Sequence, residues 1–370
     1  MRGIKRRTFF CASVGASMMN PLMAAVGKDD FERAAQVLAA ATDSGQVRGA
    51  AIHVRTGASS FTRAVGDAQS ADAAFLLGSI SKPIAMTALM TLYDQGLFRL
   101  DDLANKYLPE FAGQGRDRVT VQHLLTHVSG LPDQLPDNAR LRAGHAPLAE
   151  FVKGALRLPL SFEPGTRYEY SSIAILLAAE IAQRISGTEI KELVNARVLQ
   201  PLGMKHSALG MGTFRRSDVM QCQAEFGAVE SGGGSAESQT WDWNSQYWRE
   251  LGAPWGGVHA SAADVGRFLA AFLHPQGTPL RPATARLMIR NHNPAGLTPR
   301  GLAFDAGMQS HCSACSALTF GHTGSTGTIA WADPERDRIC VVLTTLPARA
   351  LPPGQHPRQL VSDSIATIDA

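Results

Sequence analysis

Gly78-Ser79-Ile80-Ser81-Lys82-Pro83 stands where the apolar pattern of the chain changes period. On its N-terminal side, residues 50–55 and 60–65 read as two strands joined at the turn signal Gly57, after a helical pattern over 30–44 that stops at Gly45. On its C-terminal side, residues 79–93 form an apolar helix ending at Gly96, with Pro83 tolerated in the first turn. Helical spacing then dominates the middle of the chain, over 121–127, 148–156, 171–185, 190–198, 262–272 and 283–290. Period two returns over 302–308, 317–320, 326–331 and 339–345, around the turn Asp333-Pro334-Glu335-Arg336-Asp337, and a last helix covers 359–368. Strands at both ends with helices between them predict an α+β body. An antiparallel sheet, flanked by helices, is closed by the two chain ends and carries an inserted, mostly helical subdomain.

The same six residues carry chemistry. A serine in the first turn of a helix has its hydroxyl close to unpaired backbone N–H groups and the positive end of the helix dipole. Lys82, three residues on, falls on the same face and reaches the Ser79 oxygen. Burial and the nearby positive helix end lower a lysine pKa, which lets it accept the serine proton with no histidine required. Serine is also a common helix cap and lysine a common surface residue, so the pair alone is compatible with a purely structural role.

Two further stretches raise its meaning. Pro164-Gly165-Thr166-Arg167-Tyr168-Glu169-Tyr170-Ser171-Ser172 turns into an apolar helix and places Tyr170 at its entrance. There a tyrosine can relay a proton if neighbouring cations lower its pKa, or simply pack at a subdomain junction. Phe320-Gly321-His322-Thr323-Gly324-Ser325-Thr326-Gly327 joins two strands, so His322, Thr323 and Gly324 are expected on an edge strand whose small residues admit substrate to the backbone. The N–H groups of Ser79 and Ser325 would then form an oxyanion hole. A glycine-rich hairpin turn is the plainer alternative.

In this order and at these separations, Ser79-x-x-Lys82, Tyr170-Ser171-Ser172 and His322-Thr323-Gly324 resemble the three motifs of the serine β-lactamase and penicillin-binding-protein superfamily. The chain is most similar to the class C β-lactamase-like branch, which includes esterases and D-amino-acid peptidases. Leu124-Leu125-Thr126-His127-Val128-Ser129-Gly130-Leu131-Pro132, Gly256-Gly257-Val258-His259-Ala260-Ser261-Ala262-Ala263-Asp264 and Trp331-Ala332-Asp333-Pro334 support the likeness, which covers most of residues 30–346. The resemblance implies an acyl-enzyme mechanism. Ser79 attacks a carbonyl, Lys82 and Tyr170 share the proton transfers, and Ser172, His322, Thr323, Gly324 and Ser325 contact substrate. It implies no cofactor and no metal. Two departures matter: Ser172 stands where the family often has asparagine, and His322 where it often has a lysine that recognises the carboxylate of β-lactams. Both favour an ester or small amide as substrate. A β-lactamase, a D-alanyl-D-alanine carboxypeptidase and a non-catalytic binding protein on the same scaffold are the alternatives.

The charge balance points the same way. The 370-residue chain is 45% hydrophobic and 18% charged, with a net charge of +3. Arg2, Lys5, Arg6 and Arg7 supply more than that excess, and no acid stands near them. The body is therefore close to neutral, and nothing invites nucleic acid. Lys5-Arg6-Arg7-Thr8-Phe9-Phe10, the apolar run to Met23 and the small residues Ala24 and Ala25 read as a twin-arginine export leader over 1–25, which predicts a periplasmic or secreted protein without a membrane anchor after cleavage. The hydrolase body is expected over 30–346, with 347–370 a C-terminal helix packed on it. In such a compartment Cys222, Cys312, Cys315 and Cys340 are a structural disulfide or free buried thiols rather than a zinc or redox centre.

Other features have plainer readings. His123 and His127 have zinc-protease spacing, but Leu124 stands where the glutamate belongs, which favours structural histidines. Trp241, Trp243, Trp248 and Trp255 crowd one segment, either as the wall of an acyl pocket or as the packing of a long loop. The stretch 231–238, with three consecutive glycines, reads as a flexible surface loop.

Overall fold

The computed structural model describes residues 21–368. The leader reading rests mainly on positions 1–20, which lie outside the described residues. Residues 21–25 belong to the first helix, Pro21–Asp43.

Among the described residues, nine strands form two sheets. They are β1 (Gly49–Thr56), β2 (Ser59–Gly66), β3 (Phe75–Leu76), β4 (Ser207–Leu209), β5 (Val258–Ala260), β6 (Asp305–Ala306), β7 (Phe320–Gly324), β8 (Thr328–Asp333) and β9 (Arg338–Thr344). The large sheet runs β2-β1-β9-β8-β7-β6, so the N-terminal hairpin joins the C-terminal strands through β1 and β9, antiparallel, with Ile52 opposite Val342. The sheet is thus closed by both chain ends, as the alternating period indicated. A small sheet runs β3-β5-β4. It escapes a periodicity reading because runs of two or three residues show no alternation.

Side chains that alternate along the large sheet enter two cores. Ile339, Val341 and Leu343 of β9 face one core with helix Ala262–Leu273, while Cys340 and Val342 face another with Phe31, Leu38, Val361 and Ile365 from the terminal helices. Every residue of β9 is buried in consequence, which explains its unbroken apolar run. The C-terminal helix, Pro357–Thr367, is thereby part of the same body.

The remaining helices gather around Ser81–Asp94, which is buried all round from Ser81 to Leu92 and packs against Ser172–Ser186. An apolar helix without a polar stripe is stable only in such a central position. The expected helix over 79–93 begins as a 3₁₀ turn, Gly78–Ile80, and becomes α-helical at Ser81. The stretch 231–238 is tied down: Ser231 and Ser238 are buried, and a Cβ at Gly232 would collide with that of Ser238. Among the described residues, no helix is long and apolar enough to cross a membrane.

Candidate active site

The site is built where the 3₁₀ turn meets β7. Gly78 has φ +56°, and a Cβ there would stand 2.9 Å from Thr326 Oγ1 and 3.2 Å from Ser325 N. Only glycine allows that backbone to come so close while remaining left-handed. On the opposite side, a Cβ at Gly324 would collide with the Leu77 carbonyl. Thr326 and Thr328 stitch the hairpin to the turn by donating to the carbonyls of Leu76 and Leu77, each at 2.7 Å. The amides of Ser79 and Ser325 are thereby carried on two segments in direct contact.

Lys82 is fully buried beneath Ser79. Its Nζ donates to Ser79 Oγ at 2.9 Å and to the Trp255 carbonyl at 2.9 Å. The Trp255 loop is itself fixed, because Val258 N donates to Ser81 Oγ at 2.9 Å. Burial, with a smaller repulsion from Arg300, pulls the Lys82 pKa down to about 7 against weaker opposing pulls from Asp133 and Glu230. A neutral fraction therefore exists near neutral pH, and the amine can take the Ser79 proton.

Tyr170 precedes the helix Ser172–Ser186, whose cap is Ser171: its Oγ accepts from Ala174 N at 2.9 Å, and its N–H donates to His127 Nδ1 at 3.1 Å. The His127 ring packs tilted against Tyr170, with centroids 4.6 Å apart, and Lys82 Nζ lies 4.7 Å from the Tyr170 ring centre. The Tyr170 hydroxyl is within hydrogen-bonding reach of Ser79. The condition set for a relay through a lowered Tyr170 pKa is not met. Burial dominates over Arg300 and raises its pKa, so Tyr170 is a neutral phenol rather than a phenolate.

The opposite wall centres on Arg300, which the sequence reading missed. Arg300 is buried and ion-paired with Asp305, and its Nη2 donates to His322 Nε2 at 3.2 Å. His322 Nδ1 donates to the Thr323 carbonyl at 2.6 Å. Accepting at one nitrogen and donating at the other fixes the neutral tautomer. Burial, then Arg300 and Lys82, hold its pKa well below the ordinary histidine range. Arg300 and Asp305 sit in a loop and in a two-residue strand, so no periodic signal marks them.

Ser79, Tyr170, His322, Thr323, Gly324 and Ser325 line one cleft of about 1020 Å³, with Arg300 and Asp305. His322–Gly324 form an edge as expected, since β6 pairs only with Phe320 and Gly321. Ser172 departs from its assigned place. It is buried in the first turn of its helix and does not line the cleft, and its backbone N–H donates to Asp133 Oδ1 at 2.8 Å. The four clustered tryptophans are buried and none lines the cleft, which resolves that segment as loop packing. His123 caps its own helix with Thr120, and His127 serves Ser171. The four cysteines outside the leader are buried and free.

A sequence profile of the Beta-lactamase family matches residues 34–361. Over 158 residues the chain is 33% identical to esterase EstB of Burkholderia gladioli, covering 39% of this chain and 40% of that protein. Over 141 residues it is 30% identical to penicillin-binding protein 4* of Bacillus subtilis (strain 168), covering 36% of this chain and 30% of that protein. The matches thus span less than half the length of either relative. Among solved structures, EstCE1, a hydrolase with promiscuous acyltransferase activity, superposes with a TM-score of 0.74 at 21% identity over 92% of this chain and 100% of that one. A penicillin-binding protein homolog from Caulobacter crescentus gives 0.73 at 21% identity, over 92% and 98%. At such identities these superpositions establish the shared fold.

Proposed function

The chain belongs to the Beta-lactamase family, and from that premise we propose that it is a serine hydrolase working through an acyl-enzyme on an ester or small amide. The observation that carries the reading is the 2.9 Å contact between Ser79 Oγ and a buried Lys82 whose pKa lies at about 7. Neutral Lys82 takes the Ser79 proton as Oγ attacks the carbonyl. The developing oxyanion is held by the N–H groups of Ser79 and Ser325. Tyr170, a neutral phenol in reach of Ser79, passes the proton to the leaving group. Water then releases the acyl group, with the same groups working in reverse.

The residue at the head of the third motif supports this substrate class. At the head of the third motif stands a neutral His322 in place of a free cation, and the neighbouring Arg300 is ion-paired with Asp305. Ester and amide substrates need no such cation, whereas β-lactams and D-alanyl peptides carry a carboxylate. We also propose that the protein works in the periplasm or outside the cell, a reading supported by the twin-arginine leader and checked by the N-terminus of the exported protein.

The test is labelling by a fluorophosphonate and acetylation by p-nitrophenyl acetate, read with its burst of p-nitrophenolate. Both are expected at Ser79 and absent in Ser79→Ala; equal labelling of that variant would overturn the reading. Nitrocefin turnover comparable to ester turnover would instead favour a β-lactamase.

A further inference from the structure

Arg358 stands at the second position of the C-terminal helix Pro357–Thr367 and lines the same cleft as Ser79 and Ser325. It has no ion-pair partner among the described residues. Its Nη1 bridges two carbonyls, donating to Gly324 O at 2.6 Å and to Thr328 O at 2.7 Å. Gly324 and Thr328 face each other across β7 and β8, so one guanidinium nitrogen clamps the turn end of that hairpin. The Gly324 carbonyl accepts a second bond from Gly327 N at 3.1 Å, which fixes its orientation from both sides.

That carbonyl belongs to the peptide unit whose other end is the N–H of Ser325. The amide is a resonance-coupled group, so a cation on its oxygen withdraws electron density from its nitrogen and strengthens the N–H as a donor. The next peptide is held as well, because Ala348 N donates to the Ser325 carbonyl at 2.9 Å. The base of the helix is set by His356, whose Nδ1 accepts from Arg358 N at 3.1 Å while its Nε2 donates to the Leu346 carbonyl at 3.0 Å. The segment from Leu346 to Arg358 therefore grips Ser325 on both of its peptide units.

We infer that Arg358 is a positioning residue that aims and polarises the Ser325 N–H toward the oxyanion through the Gly324 carbonyl. The inference rests on the acyl-enzyme reading above and assigns the C-terminal helix a part in the transition state. Arg358 touches neither the nucleophile nor the base, so the proton-transfer steps are expected to stay intact without it.

The experiment is an infrared difference spectrum of the acyl-enzyme formed in excess p-nitrophenyl acetate, with and without a ¹³C label in the acetyl carbonyl. A hydrogen bond from Ser325 N lowers the stretching frequency of that carbonyl. In Arg358→Met the labelled band is expected at higher wavenumber, with kcat lowered roughly tenfold, less than the loss of a whole oxyanion donor, and KM little changed. Arg358→Gln keeps a donor for the two carbonyls and so the anchor of the hairpin, while removing the charge; its band is expected between those of the unaltered protein and Arg358→Met. A band that forms but does not move in either variant would overturn the inference alone. Absence of any acyl band in the unaltered protein would overturn the acyl-enzyme reading and the inference with it.

Discussion

Two buried cations face each other across the cleft, and they are treated in opposite ways. On the nucleophile side, Lys82 has been taken out of water with no carboxylate in contact among the described residues, and its partners are a hydroxyl and a carbonyl. On the opposite wall, Arg300 is paired with Asp305. The first arrangement lets the ammonium shed its proton, since desolvation penalises only the charged form. The second sets a guanidinium against a carboxylate, which offsets the cost of burying it. Burial of an amine with no carboxylate in contact thus produces a base, while the ion-paired guanidinium orients His322 and lowers the Lys82 pKa further.

The largest effect is expected from removing the base. Lys82→Met should slow acylation of Ser79 by roughly 10³- to 10⁴-fold, measured by fluorophosphonate labelling. It should also stabilise the fold. The Lys82 pKa is about 7 folded against 10.5 as the ordinary value, so the unfolded chain binds more protons between those limits. The penalty of burying lysine is therefore full below pH 7 and is lifted as pH rises toward 10.5. Urea unfolding of the two proteins at pH 6 and pH 10 should show the stability gap close at the higher pH.

Tyr170→Phe is next. A phenol that relays protons but does not titrate near neutrality should cost roughly 10²-fold in kcat and leave the pH dependence of kcat/KM unmoved. Breaking the pair on the far wall should do the reverse. Asp305→Asn leaves Arg300 uncompensated and should move the ascending limb to lower pH, whereas Arg300→Gln should move it higher, each by about a unit. The smallest effect is expected at Ser172. Its side chain is buried outside the cleft lining, and Ser172→Ala should change kcat/KM by less than about twofold, since the bond to Asp133 comes from the backbone.

The contrast between the walls also explains what the sequence made legible. Ser79 and Lys82 are three residues apart on one helical turn, so their meeting is a local consequence of helix geometry. The strands at both ends announced a sheet closed by β1 and β9, since each side of β9 feeds a core. Arg300 meets His322 from a loop 22 positions earlier in the chain and pairs with Asp305 on a short strand, and no period marks either. The Trp255 carbonyl that holds Lys82 is backbone and has no residue signature at all. Tyr170 was placed at the right helix entrance, but the sign of its pKa shift depends on burial, which only the packed structure supplies.

The pH dependence of the rate at which Ser79 is acylated tests the role of Lys82 most directly. The rate should rise with pH to a plateau, with a midpoint near 7 that disappears in Lys82→Met. A rate that climbs without a plateau to pH 10, or the same midpoint in Lys82→Met, would contradict it.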